Sequence, residues 1–449
     1  MTSTQSSGLD RHQVAHDTTA AEVRGREHSE GAWTPSTYYG RVRGHEHNEG
    51  EWTPSTYYGR VRGRAGSAGA VLANRLSEDK GNRVLLLEAG GDGGTNPRFN
   101  VPLLAVLSGG RAYWNYVTVP QNNTLLGFKN QSQSILAGKV LGGTSLVNLM
   151  LYSRGSSHDY DEWEADGVDG WGYDSVLPYF LKSEDNIVPW LENSDYHVQG
   201  GLLTVSAPPY QKLANHLIDA AKELGMVEGD CTEPNLLGVC RMQVTTRRGI
   251  KQSTYHAFLK PITHRSNLHV ITSAHATKVL IENNKTVGVE YVDKSGTRTA
   301  MVTREVIVSA GAIGSPKLLM LSGIGPRDHL EELGIEVKAD LPVGEHYNDH
   351  VFVHLPTCID RLGLTMSLPE LVSPDTVMEY VINRTDMQMT PVTFHHDTCR
   401  SPGESVRLGR CNKAEHGLPI RRSGGTECDV HLQIVHATYG DGLAWYCKC

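Results

Sequence analysis

The chain has 449 residues, room for two or three domains of roughly 150 residues each; at 39% hydrophobic and 20% charged it can bury a large core. Lys and Arg number 42 against 50 Asp and Glu, a formal charge of −8, which argues against a uniformly basic face for nucleic acid. No run approaches the ~18 consecutive apolar residues that a membrane-spanning helix needs.

The opening stretch, MTSTQSSGLDRHQVAHDTTAAEV, has no apolar h-region, so no secretory leader is expected in it. A tandem repeat follows: REHSEGAWTPSTYYGRVRG (26–44) and HEHNEGEWTPSTYYGRVRG (45–63) agree at sixteen of nineteen positions. The units are rich in Gly, Pro, Ser and charge, and two copies are too few for a solenoid. Residues 1–57 are expected to be a disordered extension. A peptide-binding arm using Trp33, Trp52 and the Tyr pairs is the functional alternative.

The chemistry-bearing sequence starts near Gly66. AGSAGAVLANRLSED (65–79) reads as a glycine turn opening a helix, with Ala70, Val71, Leu72 and Leu76 available to a core. RVLLL (83–87) is a short apolar run of the kind that forms a buried parallel strand, and it ends at Glu88, nineteen residues after Gly69. This is the second half of a dinucleotide-binding unit. Gly66, Ser67 and Gly69 would let backbone amides approach a pyrophosphate at a helix N-terminus, and Glu88 would accept hydrogen bonds from a ribose while repelling a 2′-phosphate. The first half is irregular: Arg64 stands where the fingerprint has its first glycine. TYYGRVRG (56–63) stands where an apolar strand belongs, as if repeat sequence had replaced the strand and left a sheet edge unpaired.

Two further strings are sharper. In GKVLGGTSLVN (138–148), the small residues 142–145 lie between Leu141 and Leu146, so backbone can face a ligand closely, with Asn148 a polar group at a fixed distance beyond. In REVIVSAGAIGSPKLLMLSGIG (304–325), Val306–Val308 reads as a buried strand, and Ala310-Gly311-Ala312 permits close approach of a ligand. Ser315 suits an N-cap and Pro316 a first helical position, with Ser322-Gly323 as the stop. Toward the end, residues 398–426 are rich in Arg, Gly and Ser, and DVHLQIVHA (429–437) alternates as a strand does.

Eight cysteines are too few for a disulfide scaffold, and none forms a Cys-x-x-Cys pair, which argues against a zinc site. Asn-x-Ser/Thr sequons occur at Asn122, Asn130, Asn284 and Asn383; they carry meaning only in a secreted chain.

Taken together, GSAGAVLANRLSE, RVLLLEAGG, GKVLGGTSLVN with YSRG and DYDEW after it, GWGYDSVLPYFLKSEDN (170–186), SAGAIGSPKLLMLSGIGP and LPVGEHYNDH (341–350) resemble the glucose–methanol–choline family of flavoprotein oxidoreductases, particularly its arthropod members. The resemblance runs from about Gly66 to about Tyr439. It implies an α/β fold: a Rossmann-like FAD-binding domain (58–155 and 200–345) interleaved with an α+β substrate domain on an antiparallel sheet (156–199 and 346–449, in part). It implies FAD as cofactor and oxidation of a small-molecule alcohol or sugar, with hydride passing to the flavin. By the same match, Gly66, Ser67 and Gly69 would meet the pyrophosphate and Glu88 the adenosine ribose. Val140, Gly143 and Asn148 would line the flavin, Ala276 in HATKVLIE (275–282) would touch the adenine side through its backbone, and Gly311 would give clearance. His346 stands where the family usually has Asn.

The family's histidine base belongs to a C-terminal segment for which no match is found here, so no catalytic residue is assigned; a non-catalytic relative is the alternative reading. His431 and His436 read as strand residues, and His395-His396 as solvated loop. The electron acceptor is not legible. Relatives of this kind are often secreted, which leaves the compartment open.

Overall fold

The computed structural model describes residues 57–63, 65–101, 104, 110–121, 125–208, 212–234, 238–347 and 373–383, with strands at 418–421, 427–433 and 446–448. The expected disordered extension therefore lies outside the described residues up to Thr56, as do His395, His396 and His436.

A six-stranded sheet organises the chain. Its strands are β1 (Tyr57–Gly63), β2 (Val84–Glu88), β3 (Leu268–Thr272), β4 (His275–Glu282), β5 (Lys285–Asp293) and β6 (Gly296–Val308), in the spatial order β3-β2-β1-β6-β5-β4. The first four in that order are parallel; β5 and β4 add an antiparallel hairpin. Strand β6 is long enough to serve both halves, pairing Gly288 of β5 and Tyr57 of β1 with the same residue, Met301.

The expectation that repeat sequence leaves the sheet without its first strand is overturned. TYYGRVRG supplies β1, the strand at the centre of the parallel half, with Arg62 opposite Leu86 on one side and Ile307 on the other. The ladder is made by main-chain groups, so its pairing tolerates a non-apolar strand sequence; an irregularity between Tyr58 and Arg60 absorbs the register shift at Gly59.

Helix α1 (Ser67–Leu76) crosses from β1 to β2. Its sheet-facing positions are small: Ala70 and Ala73 are fully buried with Val84, Leu86, Leu141 and Leu259. Leu72, expected in the core, is 36% exposed, because it falls between the positions that recur on the sheet-facing side. On the opposite face Leu85, Leu87, Val279, Val289 and Val306 pack beneath Leu318 of α4 (Gly311–Leu321). Each fully buried Leu contributes about 1.5–3 kcal/mol. Between these elements lie α2 (Ser157–Ala165), closed by a Ser156–Asp159 capping box, and α3 (Tyr173–Ser183). Tyr160 of α2 meets Phe180 of α3 edge to face at 5.8 Å. Near the end of the chain, Leu418–Arg421, Glu427–Gln433 and Tyr446–Lys448 form a three-stranded antiparallel sheet; His431 is a strand residue. Among the described residues, no helix is long and apolar enough to cross a membrane.

Candidate dinucleotide site

The three small-residue stretches meet at the carboxyl ends of β1, β2 and β6, the edge of a parallel sheet where ligands bind in open α/β folds. The loop Ala65-Gly66 joins β1 to α1, whose N-terminus has no side-chain cap; Ser67 is exposed there and Gly69 buried. Glu88, at the end of β2, is buried, and its carboxylate accepts from the Ala65 N–H at 3.0 Å and the Gly90 N–H at 2.8 Å. It thus ties the glycine turn to the loop after β2.

The second stretch lies directly against that turn. Gly142 donates its N–H to the Ala65 carbonyl at 2.7 Å, and Gly142 and Gly143 have φ of +90° and +54°. A Cβ on Gly143 would sit 2.7 Å from the Gly66 Cα, so a side chain is excluded twice over, by conformation and by space. Val140 is buried and bridges Gly91. Asn148 ends the short helix Thr144–Val147: its N–H donates to the Thr144 carbonyl at 2.9 Å, and its side-chain oxygen accepts from Met150 N–H at 3.1 Å.

The third stretch closes the group. The Ser309 carbonyl oxygen is 4.0 Å from where a Cβ would stand on Gly66, and Gly311, at φ +81°, faces open space. α4 starts at Gly311, earlier than expected; Ser315 lies inside it, and its hydroxyl accepts from the Ala310 N–H at 2.9 Å. The Ser315 side chain therefore reaches back to the turn from within the helix, and Pro316 is a second-turn residue. Ala276 lines a pocket with Ala89, Ala274, Ala310, Gly314 and Trp114, the last tilted against His275 at 5.2 Å. Ala89 follows Glu88 and Ala310 precedes Gly311, so this pocket continues from the glycine cluster. The pocket is also lined by Tyr116, Lys317 and Leu321, so it mixes small and large side chains; the uncapped helix N-terminus and the glycine facing open space are the features that fit a dinucleotide pyrophosphate.

Sequence reasoning missed what props the cluster from behind: the segment 249–256, GIKQSTYH. The Ser145 hydroxyl donates to the Gly142 carbonyl at 2.6 Å and accepts from the Thr254 N–H at 3.0 Å. Lys251 is fully buried, and its ammonium donates to the Asn148 carbonyl. Burial pushes the Lys251 amine down to about 7. His256 contacts Ser253 Oγ at 3.0 Å and Asn100 Oδ1 at 3.1 Å; burial, then the charges of Lys260 and Lys251, push it down to about 4, so it stays neutral. The only sequence signal for these roles is a cation amid small polar residues, too common to single out.

A second polar assembly lies behind the YSRG segment. Arg154 Nη2 donates to Glu184 Oε2 at 2.5 Å, and His197 bridges Glu184 at 2.9 Å and Asp230 at 2.6 Å; all four side chains are buried. Burial alone would lower the imidazole, but its hydrogen bonds and charge contacts with Asp230 and Glu184 outweigh that and raise it. Burial likewise works to raise Asp230, and the hydrogen bond from His197 with those from Thr232 holds it low. With His197 charged, two cations face two carboxylates. Among the described residues, no group of three or more His, Cys, Asp or Glu is arranged to hold a metal ion.

Comparison with known proteins agrees with this architecture. Residues 63–352 match the family model described as GMC oxidoreductase. The chain is 42% identical over 324 residues to the glucose dehydrogenase (FAD, quinone) of Drosophila melanogaster, covering 71% of this chain and 51% of that protein. It is 41% identical over 298 residues to the alcohol dehydrogenase (acceptor) of Pseudomonas putida, covering 65% and 53%. The crystal structure of pyridoxine 4-oxidase from Mesorbium loti superposes with a TM-score of 0.58 at 32% identity, over 64% of this chain and 55% of that one. The chain spans about half the length of the curated relatives it matches. The extent of the family match, over the stretch that contains all three glycine-rich strings, means that the chain belongs to the GMC oxidoreductase family.

Proposed function

We propose that this chain carries the FAD-binding core of an oxidoreductase acting on CH–OH groups of alcohols or sugars. The observation that carries the reading is the convergence of Gly66, Gly143 and the Ser309–Gly311 turn on one uncapped helix N-terminus. The names of the relatives, a glucose dehydrogenase and an alcohol dehydrogenase, support the substrate class. When bound, FAD supplies the acceptor for a hydride leaving the carbinol carbon.

The chain's own residues bind and orient. The first turn of α1, at Ser67 and Gly69 after Gly66, offers backbone amides and the positive end of the helix dipole to the pyrophosphate. Glu88, tied to the glycine turn by the Ala65 and Gly90 amides at the end of β2, would accept from the adenosine ribose. Ala276 flanks the adenine through its backbone. Val140, Gly143 and Asn148 flank the isoalloxazine, and Gly311 gives clearance. Residues 58–155 and 200–345 form the FAD-binding domain, and 156–199 with 346–449 contribute to the substrate domain.

The test is purification of the full chain with added FAD, followed by visible absorption and dye reduction with a panel of sugars and simple alcohols. A flavin spectrum that survives gel filtration and bleaches anaerobically with an alcohol or sugar is the expected result. A colourless protein, folded by circular dichroism, would refute the cofactor assignment.

A further inference from the structure

The dinucleotide site leaves two features of the sequence unused: the sequons, and the cysteines Cys231 and Cys240. Two sequon asparagines stand at exposed turns. Asn284 is in the tip of the β4–β5 hairpin, where Asn283 and Asn284 have φ of +49° and +60°; Asn130, at φ +60°, lies in the loop beyond the Tyr113–Val117 and Ser134–Gly138 hairpin. Neither side-chain amide makes a hydrogen bond, whereas the amides of Asn74, Asn148, Asn186 and Asn267 are all engaged. Turn geometry explains an asparagine at positive φ. It does not call for Thr286 two places after Asn284; at Asn130 the hydroxyl residue two places on, Ser132, also donates to the Thr118 carbonyl at 2.6 Å.

The second observation is independent. Cys231 and Cys240 form a disulfide with Cα atoms 5.3 Å apart. Cys231 is buried between Asp230 and Thr232, both bonded to His197. Disulfides of this structural kind form in oxidising compartments and are rare in the cytosol. Protein N-glycosylation shares that setting.

We infer that Asn130 and Asn284 are N-glycosylation acceptors, in a chain that matures in an oxidising compartment. In the transfer, the Asn amide nitrogen forms a bond to the sugar C1 of a lipid-diphosphate-linked oligosaccharide. The C1–O bond to the diphosphate breaks, and the amide loses one proton. The disulfide forms by exchange with a disulfide carrier: two thiols lose two protons and two electrons, and the carrier becomes a dithiol. At Asn284, transfer precedes folding, because Thr286 is only 2% exposed once the hairpin has closed. The glycan leaves the dinucleotide site open: seven steps along β4 separate Glu282 from His275, about 23 Å at ~3.3 Å per residue.

The experiment uses the full chain from its native source. Thiols are blocked before reduction, and the protein is then treated with peptide N-glycosidase in heavy-oxygen water. Expected are peptides in which residues 130 and 284 are recovered as heavy-oxygen Asp, and a Cys231–Cys240 linked peptide in the non-reducing map. In a secretory expression host, N130Q and N284Q should each remove one glycosidase-sensitive gel step. Unmodified Asn at both sites, or blocked free thiols at Cys231 and Cys240, overturns the inference; a glycan at one site overturns the assignment of the other.

Discussion

Lys251 is a cation sealed behind the glycine cluster with one hydrogen bond, to the Asn148 carbonyl. Burial pushes its amine from 10.5 down to about 7, so the folded state loses the proton that the unfolded chain keeps until about 10.5. Between those values the unfolded state binds more protons, and stability must rise with pH, by about 1.4 kcal/mol per pH unit. Over the full interval the gain is about 5 kcal/mol, an upper bound because the site can relax or admit water. Lys251→Met removes the titration. It loses one hydrogen bond of about 1 kcal/mol and keeps the apolar stem. The variant should therefore be more stable than the parent at pH 6 by a few kcal/mol, and the two should converge by pH 10. Urea unfolding of both proteins from pH 6 to pH 10 measures this; the difference between the curves cancels every group they share. Parallel curves with the same pH slope would refute the assignment of a buried, near-neutral lysine.

Other perturbations read other parts of the site. Gly143→Ala places a Cβ 2.7 Å from the Gly66 Cα at a φ of +54°; at least about 2 kcal/mol of stability should be lost, and bound flavin with it, as the absorption spectrum will report. Glu88→Ala strips the acceptor from the Ala65 and Gly90 amides, a cost of about 2–6 kcal/mol for two buried donors. Glu88→Gln keeps a carbonyl oxygen and should fall between, in denaturation midpoint and in FAD affinity alike. His197→Leu leaves Glu184 and Asp230 buried without their shared partner, a loss of about 3–5 kcal/mol. Because the folded-state pKa of His197 is raised, its contribution is complete below about 6.5 and disappears as pH climbs through the higher folded value. Parent stability minus that of His197→Leu should therefore shrink above neutrality; a difference that grows with pH would reverse the sign of the reasoning.

What was legible in the sequence is what backbone geometry demands. Gly142 and Gly143 occupy positive-φ positions pressed against Gly66, so their identity carries the information and a string of small residues can be read directly. The apolar run of β2 is legible for the same reason, since burial on both faces leaves little choice of side chain, whereas β6 gives one face to the core through Ala300, Val302 and Val306. Strand β1 was misread because that rule was applied to side chains when main-chain pairing with β2 and β6 carries the strand. Ser315 was misplaced because a serine that bonds to the turn from inside a helix has the same local sequence as one that caps it.

The remaining features depend on contacts distant in sequence. Lys251 meets Asn148 across 103 residues, Asn74 meets the Phe258 carbonyl across 184, and His197 joins Glu184 to Asp230. No local pattern encodes such pairs, since a lysine two places after a glycine reads as a solvated turn until the fold encloses it. These buried groups limit which residues the glycine cluster can tolerate behind it: an apolar side chain at position 251 should be accepted, whereas a carboxylate would leave an unpaired anion against the Asn148 carbonyl. The cluster facing the ligand is fixed by conformation and its support by charge and burial, so the two respond to different perturbations: the first to added side-chain volume, the second to pH.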